Sequence, residues 1–189
     1  LSEMALPDGA SNMPGVIIPR KAVLELRKLI DEAIGEVEVQ LSESKIRFSL
    51  GNTLLTSKLI DGEFPEYERV IPKENDKLLE VNTKSFSNAV DRVSAISAEK
   101  SRSIKLNFNK GLVALSASSP ENGSSSEEVE ASYDSDSFEI GFNSRYLLDI
   151  MQQIEGEAVR FNMSGPDAPT IVNDATDSSS TYVLMPMRV

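Results

Sequence analysis

The stretch Gly62-Glu-Phe-Pro-Glu-Tyr-Glu-Arg-Val-Ile-Pro72 divides the chain, and the last residues, Tyr182-Val-Leu-Met-Pro-Met-Arg-Val189, resemble it in composition. Both segments place prolines among large apolar side chains, beside an arginine and outside any helical or strand period. Such segments are typical of rigid surface grooves, because proline fixes the backbone and the apolar side chains can line a cleft. We therefore expect the two segments to meet in space.

The composition restricts the classes of function. The 189 residues carry a net charge of -11 and contain no Cys and no His. This removes disulfides, thiolate chemistry and the commonest metal ligand and general base. No apolar run approaches the roughly 20 residues of a membrane span and no signal-peptide pattern is present, so we expect a cytoplasmic protein. The acids concentrate in residues 120–139, where there is no Lys or Arg, whereas the helix-like segments carry local positive charge.

A unit of one strand, one helix and three strands recurs three times, at a period of about 60 residues. The first copy has a short strand from Val16, an amphipathic helix and a set of period-two strands over residues 36–41, 45–50 and 53–60. The apolar stripe of its helix is expected at Val23, Leu26 and Ile30.

The second copy has a strand over residues 77–81 and a helix that Thr83 can cap. A hairpin around Asn109-Lys110-Gly111, a loop tip over 120–126 and a strand over 127–133 follow. The third copy starts at Phe138, has Asn143 or Ser144 as cap, and ends in strands over 158–163, 170–173 and 181–187. The two helix stripes share i, i+3, i+4, i+7 spacing: Phe86, Ala89, Val90 and Val93, then Leu147, Ile150, Met151 and Ile154.

The repeat predicts the fold class. One unit cannot bury its helix stripe alone, whereas two units can form a domain with paired helices on a continuous antiparallel sheet. We therefore expect an α+β protein built from repeated β-α-β-β-β half-domains, with the second and third copies forming one complete domain. Because the first copy has no partner and the chain begins at Leu1 in a loop-like stretch, we expect a fragment whose missing half-domain precedes Leu1.

Four motifs carry a resemblance to a known family: Ile17-Ile-Pro-Arg-Lys21, the segment 56–72, Ile140-Gly-Phe-Asn143 and the segment 182–189. In these, and in their order along the whole chain, the sequence resembles the β subunit of bacterial DNA polymerase III, the sliding clamp. The resemblance implies the DNA-clamp fold, with helices on the inner face of antiparallel sheets. Residues 1–67 would be the C-terminal half of the middle domain and residues 68–189 the complete third domain.

The resemblance also implies function. Sliding clamps are non-enzymatic processivity factors of DNA replication, in which two subunits join head to tail as a homodimeric ring around duplex DNA. Helix-borne basic side chains face the phosphate backbone without reading sequence. The matching candidates are Arg20, Lys21, Lys84, Arg92, Lys100, Arg102 and Lys105. The alternative for each is an ordinary solvated helix face.

A peptide pocket between the middle and third domains is the second implied feature. It would take short linear motifs from the catalytic subunit of DNA polymerase III, the clamp loader and other replication or repair proteins. Methionine suits such a groove because its flexible side chain adapts to several partners. The matching positions are Pro65, Arg69, Val70, Tyr146, Val183, Met185, Pro186, Met187 and Arg188. The alternative is that Val183 and Met185 complete a buried edge strand.

A subunit interface is the third implied feature, and its matching positions are Ile96, as an apolar anchor, with Glu127 and Glu128. The tip Gly123-Ser-Ser-Ser126 is less acidic than the family pattern, which puts charge pairing across this interface in question. The alternative for the acidic tip is a solvated loop.

Motifs for catalysis are absent from the sequence, which has no phosphate-binding loop, nucleophile elbow or helix-borne metal motif. Asp174 and Asp177 could pair as carboxylates, but in a Thr/Ser-rich turn they are expected to cap the backbone. We therefore expect no enzyme, no cofactor and no metal. The leading function is a clamp; a peptide-binding scaffold that never encircles DNA is the alternative, and a hydrolase or nuclease that uses paired carboxylates is a third class.

Overall fold

The computed structural model describes residues 1–32, 34–97 and 102–188. The chain forms two compact units, one of residues 5–66 and one that combines residues 1–4 with residues 67–189. We call these the N-terminal unit and the C-terminal unit.

The N-terminal unit is a three-stranded antiparallel sheet with one helix. Its elements are α1 (Arg20–Glu32), β1 (Glu38–Leu41), β2 (Lys45–Leu50) and β3 (Thr53–Lys58), with strand order β1-β2-β3. The predicted strand before the helix is reduced to one bridge between Ile17 and Ile60. The alternating residues of β2 that face one side, Ile46, Phe48 and Leu50, form the small core.

The buried face of α1 differs from the predicted stripe. Val23 and Ile30 are 48% and 45% exposed, whereas Ala22 is buried and Leu26 and Leu29 pack against the core of this unit. The spacing Ala22, Leu26, Leu29 fits one face of a helix as well as the predicted spacing did. Because the helix has apolar residues on both sides, its periodicity alone could not decide which side faces the sheet.

The C-terminal unit is one eight-stranded antiparallel sheet that carries two helices. Two β-α-β-β-β copies form it, as predicted. The first copy is β4 (Lys77–Asn82), α2 (Thr83–Ser94), β5 (Ser103–Asn109), β6 (Leu112–Ser119) and β7 (Gly123–Tyr133); the second is β8 (Phe138–Asn143), α3 (Ser144–Met151), β9 (Ala158–Met163), β10 (Thr170–Asp174) and β11 (Tyr182–Leu184). The two copies meet where β9 pairs with β4 and where β8 pairs with β5. The strand order is β11-β10-β9-β4-β7-β6-β5-β8, and α2 packs against α3.

The helix stripes of this unit follow the predicted periodicity. All four predicted residues of α2 are fully buried, and Leu147, Ile150 and Met151 of α3 are buried in the same core. Ile154 lies beyond the end of α3 but still packs against that core.

The predicted N-cap of α2 was wrong, while that of α3 is confirmed at Asn143. Asn82 caps α2, since its Oδ1 accepts from the Ser85 backbone N–H at 2.9 Å. Thr83 is the first helical residue, and its hydroxyl donates instead to the Gly156 carbonyl at 3.0 Å. Asn and Thr are both good caps, and the extended backbone of Asn82 determines which side chain reaches the free N–H groups.

Two strand boundaries also differ from the sequence prediction. β7 begins at Gly123, so residues 124–126 belong to a strand and not to a loop tip, because β6 pairs with them along its full length. β11 ends at Leu184 and not at residue 187, which fits the missing N–H of Pro186. After that proline, the Met187 N–H donates to the Gly141 carbonyl of β8 at 2.8 Å.

Replacing Thr170 by Val is expected to stabilise the C-terminal unit. Thr170 is fully buried on β10, and its hydroxyl has no hydrogen-bond partner within the described residues. Because an unpaired buried hydroxyl is unfavourable, a methyl group of similar shape should raise the unfolding free energy by about 1 kcal/mol and the melting temperature by roughly 3 °C. Calorimetry of the two proteins measures both quantities.

The matched control for this substitution is Thr83→Val, which removes a hydroxyl that does have an acceptor. It should lower the melting temperature by a similar amount. An unchanged or lower melting temperature for Thr170→Val would contradict the assignment of an unpaired hydroxyl.

Candidate functional site

A cavity of about 410 Å³ lies between α3 and β11 in the C-terminal unit. Ile150 and Leu184 are its buried residues, whereas Tyr146 and Met185 are 56% and 61% exposed. A large aromatic side chain and a flexible methionine are therefore available at a concave apolar surface, an arrangement typical of sites that take a ligand side chain. The lining is Leu1, Tyr146, Asp149, Ile150, Thr181, Tyr182, Val183, Leu184 and Met185.

Leu1 reaches this cavity because residues 1–3 pair with residues 179–181. The Thr181 N–H donates to the Leu1 carbonyl at 2.7 Å, and the Leu1 nitrogen donates to the Thr181 carbonyl at 2.8 Å. The Glu3 N–H donates to the Ser179 carbonyl at 2.8 Å. The first residues of the chain thus form a short antiparallel segment beside the approach to β11.

Three of the nine predicted pocket residues line the cavity: Tyr146, Val183 and Met185. Pro65 belongs to the N-terminal unit, and Arg69 and Val70 lie in a 3-10 turn, Tyr67–Val70, of the C-terminal unit. Pro186, Met187 and Arg188 follow β11 without lining this cavity. The expected meeting of residues 62–72 with residues 182–189 stays a prediction.

Sequence reasoning missed several lining residues. Asp149 and Ile150 lie three and four positions after Tyr146 on α3, so helical periodicity could have placed them beside it. Leu1 and Thr181 are 180 residues apart, and no local pattern indicates that they pair.

A larger concavity, of about 1010 Å³, lies in the N-terminal unit and is lined by residues 15–17, 43–44 and 59–64. Residues 62–64 belong to the stretch 62–72 that was expected to form a groove, but none of the individually predicted site residues lines this concavity.

The predicted DNA-facing residues differ in whether a carboxylate lies within ion-pair distance of them. Arg20 and Lys21 are the exposed first residues of α1, whose first turn has no acid, and Lys84 is exposed in the first turn of α2. Within the described residues, none of these three has a carboxylate at ion-pair distance. A basic pair at a helix N-terminus adds to the positive end of the helix dipole, which favours an anion such as phosphate.

The other predicted DNA-facing residues form an ion pair, lie outside a helix, or fall outside the described residues. Lys105 of β5 lies 3.1 Å from Glu139 Oε2. Arg102 is exposed just before β5 with a φ of 45°, and its carbonyl accepts from the Ser144 N–H at 2.8 Å. Lys100 lies outside the described residues.

Arg92 and Glu127 form a two-point ion pair between α2 and β7. Arg92 Nε donates to Glu127 Oε2 at 2.9 Å, and the second guanidinium nitrogen donates to the other carboxylate oxygen. The hydrogen bonds raise the pKa of Arg92 and lower the pKa of Glu127. A residue predicted to face DNA is thus bonded to one predicted for the subunit interface.

The remaining interface candidates differ in exposure. Ile96 is half-buried and packs against the main core just after α2. Glu128 is exposed on β7, opposite Ala114 of β6. Because side chains alternate along a strand, Glu127 and Glu128 point to opposite faces of the sheet.

The paired carboxylates bind the backbone, as the sequence predicted. Asp174 accepts from the N–H and hydroxyl of Thr176, both at 2.8 Å, and from the Gly156 N–H at 2.7 Å. These hydrogen bonds, those from Thr176 first, lower the pKa of Asp174. Asp177 accepts from the Ser179 N–H at 2.8 Å. Across the part of the chain that the structure describes, no group of three or more acidic side chains could hold a metal ion.

No helix in the described ranges could cross a membrane. The three helices have 13, 12 and 8 residues, and none reaches the length and apolar content that a membrane-spanning helix requires.

Two family models match the chain consecutively. Residues 1–66 match the central domain of the DNA polymerase III beta subunit, and residues 68–188 match its C-terminal domain. The two matches together cover nearly the whole chain.

Individual relatives agree with the family models. The beta sliding clamp of Caulobacter vibrioides (strain NA1000 / CB15N) is 50% identical over 189 residues, which are 100% of this chain and 51% of the relative. The beta sliding clamp of Pseudomonas aeruginosa is 42% identical over 174 residues, which are 92% of this chain and 47% of the relative. This chain therefore spans about half the length of the curated relatives it matches.

Solved structures give the same result. A sliding clamp from Bartonella birtlesii bound to griselimycin superposes with a TM-score of 0.95 at 51% identity, over 98% of this chain and 50% of that one. The antiparallel sheets with their helices are thus the α+β fold of sliding clamps. By its sequence and its fold, this chain belongs to the DNA polymerase III beta subunit family.

Proposed function

We propose that this chain is part of a bacterial sliding clamp, a non-enzymatic ring that encircles duplex DNA in the cytoplasm and tethers the replicative polymerase. The observation that carries the proposal is the consecutive match of residues 1–66 and 68–188 to the central and C-terminal domains of one family. Residues 1–67 would then be the second half of the middle domain and residues 68–189 the third domain. The ring would be a head-to-tail homodimer that needs no cofactor of its own.

The exposed basic pair at the start of α1 supports the DNA-binding part of this proposal. Arg20 and Lys21 can neutralise phosphates without contacting base edges, which leaves the protein able to slide. The net charge of -11 restricts such contacts to local surfaces, because most of the protein surface would repel DNA.

The cavity at Tyr146 and Met185 supports the tethering part. We assign it as part of the surface that takes short linear motifs from the polymerase catalytic subunit, the clamp loader and other partners. The Bartonella relative binds griselimycin, and we propose that griselimycin occupies this cavity here. A clamp of this kind makes synthesis processive because it raises the polymerase concentration at the primer end.

A chimeric ring tests the proposal. The matching half of the Caulobacter vibrioides clamp is replaced by these 189 residues, and the chimera is loaded onto nicked circular DNA and onto the same DNA after linearisation. A ring should remain on the circle and leave the linear molecule through its ends.

The parental Caulobacter clamp is the control for loading. Equal loss of the chimera from both DNAs, with normal behaviour of the parent, would contradict the ring. It would leave a peptide-binding scaffold that does not encircle DNA.

A further inference from the structure

Asn173 lies on β10 and bonds to residues 180–181, of which Thr181 lines the cavity. The side chain is half-buried and does not line the cavity. Its Nδ2 donates to the Ser180 carbonyl at 3.0 Å and to the Thr181 hydroxyl at 3.1 Å. One amide group therefore fixes two consecutive residues of the segment that leads into β11.

Residues 180–181 also form hydrogen bonds with the first residues of the chain. Thr181 exchanges two backbone hydrogen bonds with Leu1, and Ser180 Oγ lies 3.3 Å from Ser2 Oγ. Thr181 and Leu1 both line the cavity. A shift of residues 180–181 would therefore move two lining residues together.

The loop before the segment is ordered by its own side chains, which limits what else could fix the segment. Asp174 and Asp177 each accept hydrogen bonds from residues two positions further on, Thr176 and Ser179. These bonds are local and stop at Ser179. Within the described residues, the side-chain hydrogen bonds that tie Ser180 and Thr181 to β10 come from Asn173, and the backbone ladder between β10 and β11 begins at Tyr182.

We propose that Asn173 is a positioning residue for ligand recognition, which acts by holding residues 180–181 so that Leu1 stays docked in the cavity wall. The proposal rests on the proposed function in one respect, that the cavity binds a ligand. It predicts that a variant unable to donate from position 173 weakens binding without any contact between position 173 and the ligand.

The test uses Asn173→Asp, which keeps the shape and removes the donor. Two quantities are measured on the whole 189-residue chain: amide hydrogen exchange by NMR and griselimycin affinity by calorimetry. Relative to the Met187 amide, which bonds to Gly141 elsewhere in the sheet, the Glu3 and Thr181 amides should exchange about tenfold faster. Griselimycin should bind about tenfold more weakly, because part of the binding free energy is then spent on ordering residues 180–181 and Leu1.

The matched control is Asn82→Ala, which removes an asparagine that caps α2 and bonds to the Glu157 carbonyl. It should lower the melting temperature without changing griselimycin affinity or the relative exchange of Glu3 and Thr181. This separates positioning from a general loss of stability.

The outcomes distinguish the inference from the proposed function. Unchanged exchange at Glu3 and Thr181 in Asn173→Asp overturns the inference, and so does faster exchange with unchanged griselimycin affinity. If the unmodified chain does not bind griselimycin, the assignment of the cavity is contradicted, while the exchange rates still decide whether Asn173 holds residues 180–181.

Discussion

Deletion of residues 185–189 is expected to abolish griselimycin binding while leaving most of the C-terminal unit folded. The deletion removes Met185 from the cavity and the Met187 N–H from its bond to Gly141, but it keeps Leu184, which is buried in the core. Loss of Met185, its backbone included, together with the bond that anchors the chain after β11 to β8, should weaken binding more than 100-fold. Calorimetric titration measures the affinity, and far-UV circular dichroism measures the remaining fold.

A point variant keeps this prediction testable if the deletion unfolds the chain. Met185→Ala should weaken griselimycin binding about tenfold, because it removes one flexible apolar side chain from the cavity. Met13→Ala truncates a methionine that is 40% exposed and does not line the cavity, and it should have no effect. An affinity that survives both the deletion and Met185→Ala would show that the cavity is assigned wrongly.

Reversal of the two charges that open α1 is expected to shorten retention on DNA. In the chimeric ring, which is a homodimer, Arg20→Glu with Lys21→Glu should remove two phosphate contacts from each subunit, four in all, and introduce repulsion. The slope of log retention time against log salt should become shallower by about 3.6, since each of the four lost contacts contributes about 0.9. At about 0.1 M salt the retention time should fall by at least about tenfold.

The matched control reverses two charges of the same unit on its sheet. Lys45 and Lys58 are exposed and lie opposite each other on β2 and β3. Lys45→Glu with Lys58→Glu changes the net charge equally, so it separates a local effect at α1 from a general increase in acidity. A salt slope that the α1 variant leaves unaltered would remove Arg20 and Lys21 from the DNA-facing surface.

The parts of the fold that local chemistry determines could be predicted from the sequence. The stripe of α2 is confirmed because its four apolar residues share one helical face and its other positions are mostly polar. The hairpin between β5 and β6 is confirmed around Gly111, whose φ of 80° suits glycine in such a turn. In both places only one arrangement satisfies the pattern.

Other features depend on partners that are remote in sequence. α1 has apolar residues on two faces, and its contact with β2 determines that Ala22 and not Val23 is buried. Residues 124–126 have serine side chains with no strand period of their own, and pairing with β6 makes them part of β7. Neither result could be obtained from a window of local sequence.

The residues of the candidate site also differ in whether the sequence could predict them. Tyr146, Val183 and Met185 were identified through the resemblance to a family and not through periodicity. The contribution of Leu1 depends on hydrogen bonds to a residue 180 positions away, and that of Asn173 on two side-chain bonds that no motif encodes. Long-range hydrogen bonding of this kind has no signature in one sequence, because many asparagines could donate equally well.

The bond from Met187 to Gly141 and the pairing of residues 1–3 with 179–181 lie at the two outer strands of the eight-stranded sheet. Unpaired outer strands are templates for intermolecular pairing, and proteins commonly cover them to prevent aggregation. These two short segments therefore help to keep separate molecules from pairing edge to edge, and residues 1–3 also bring Leu1 to the cavity.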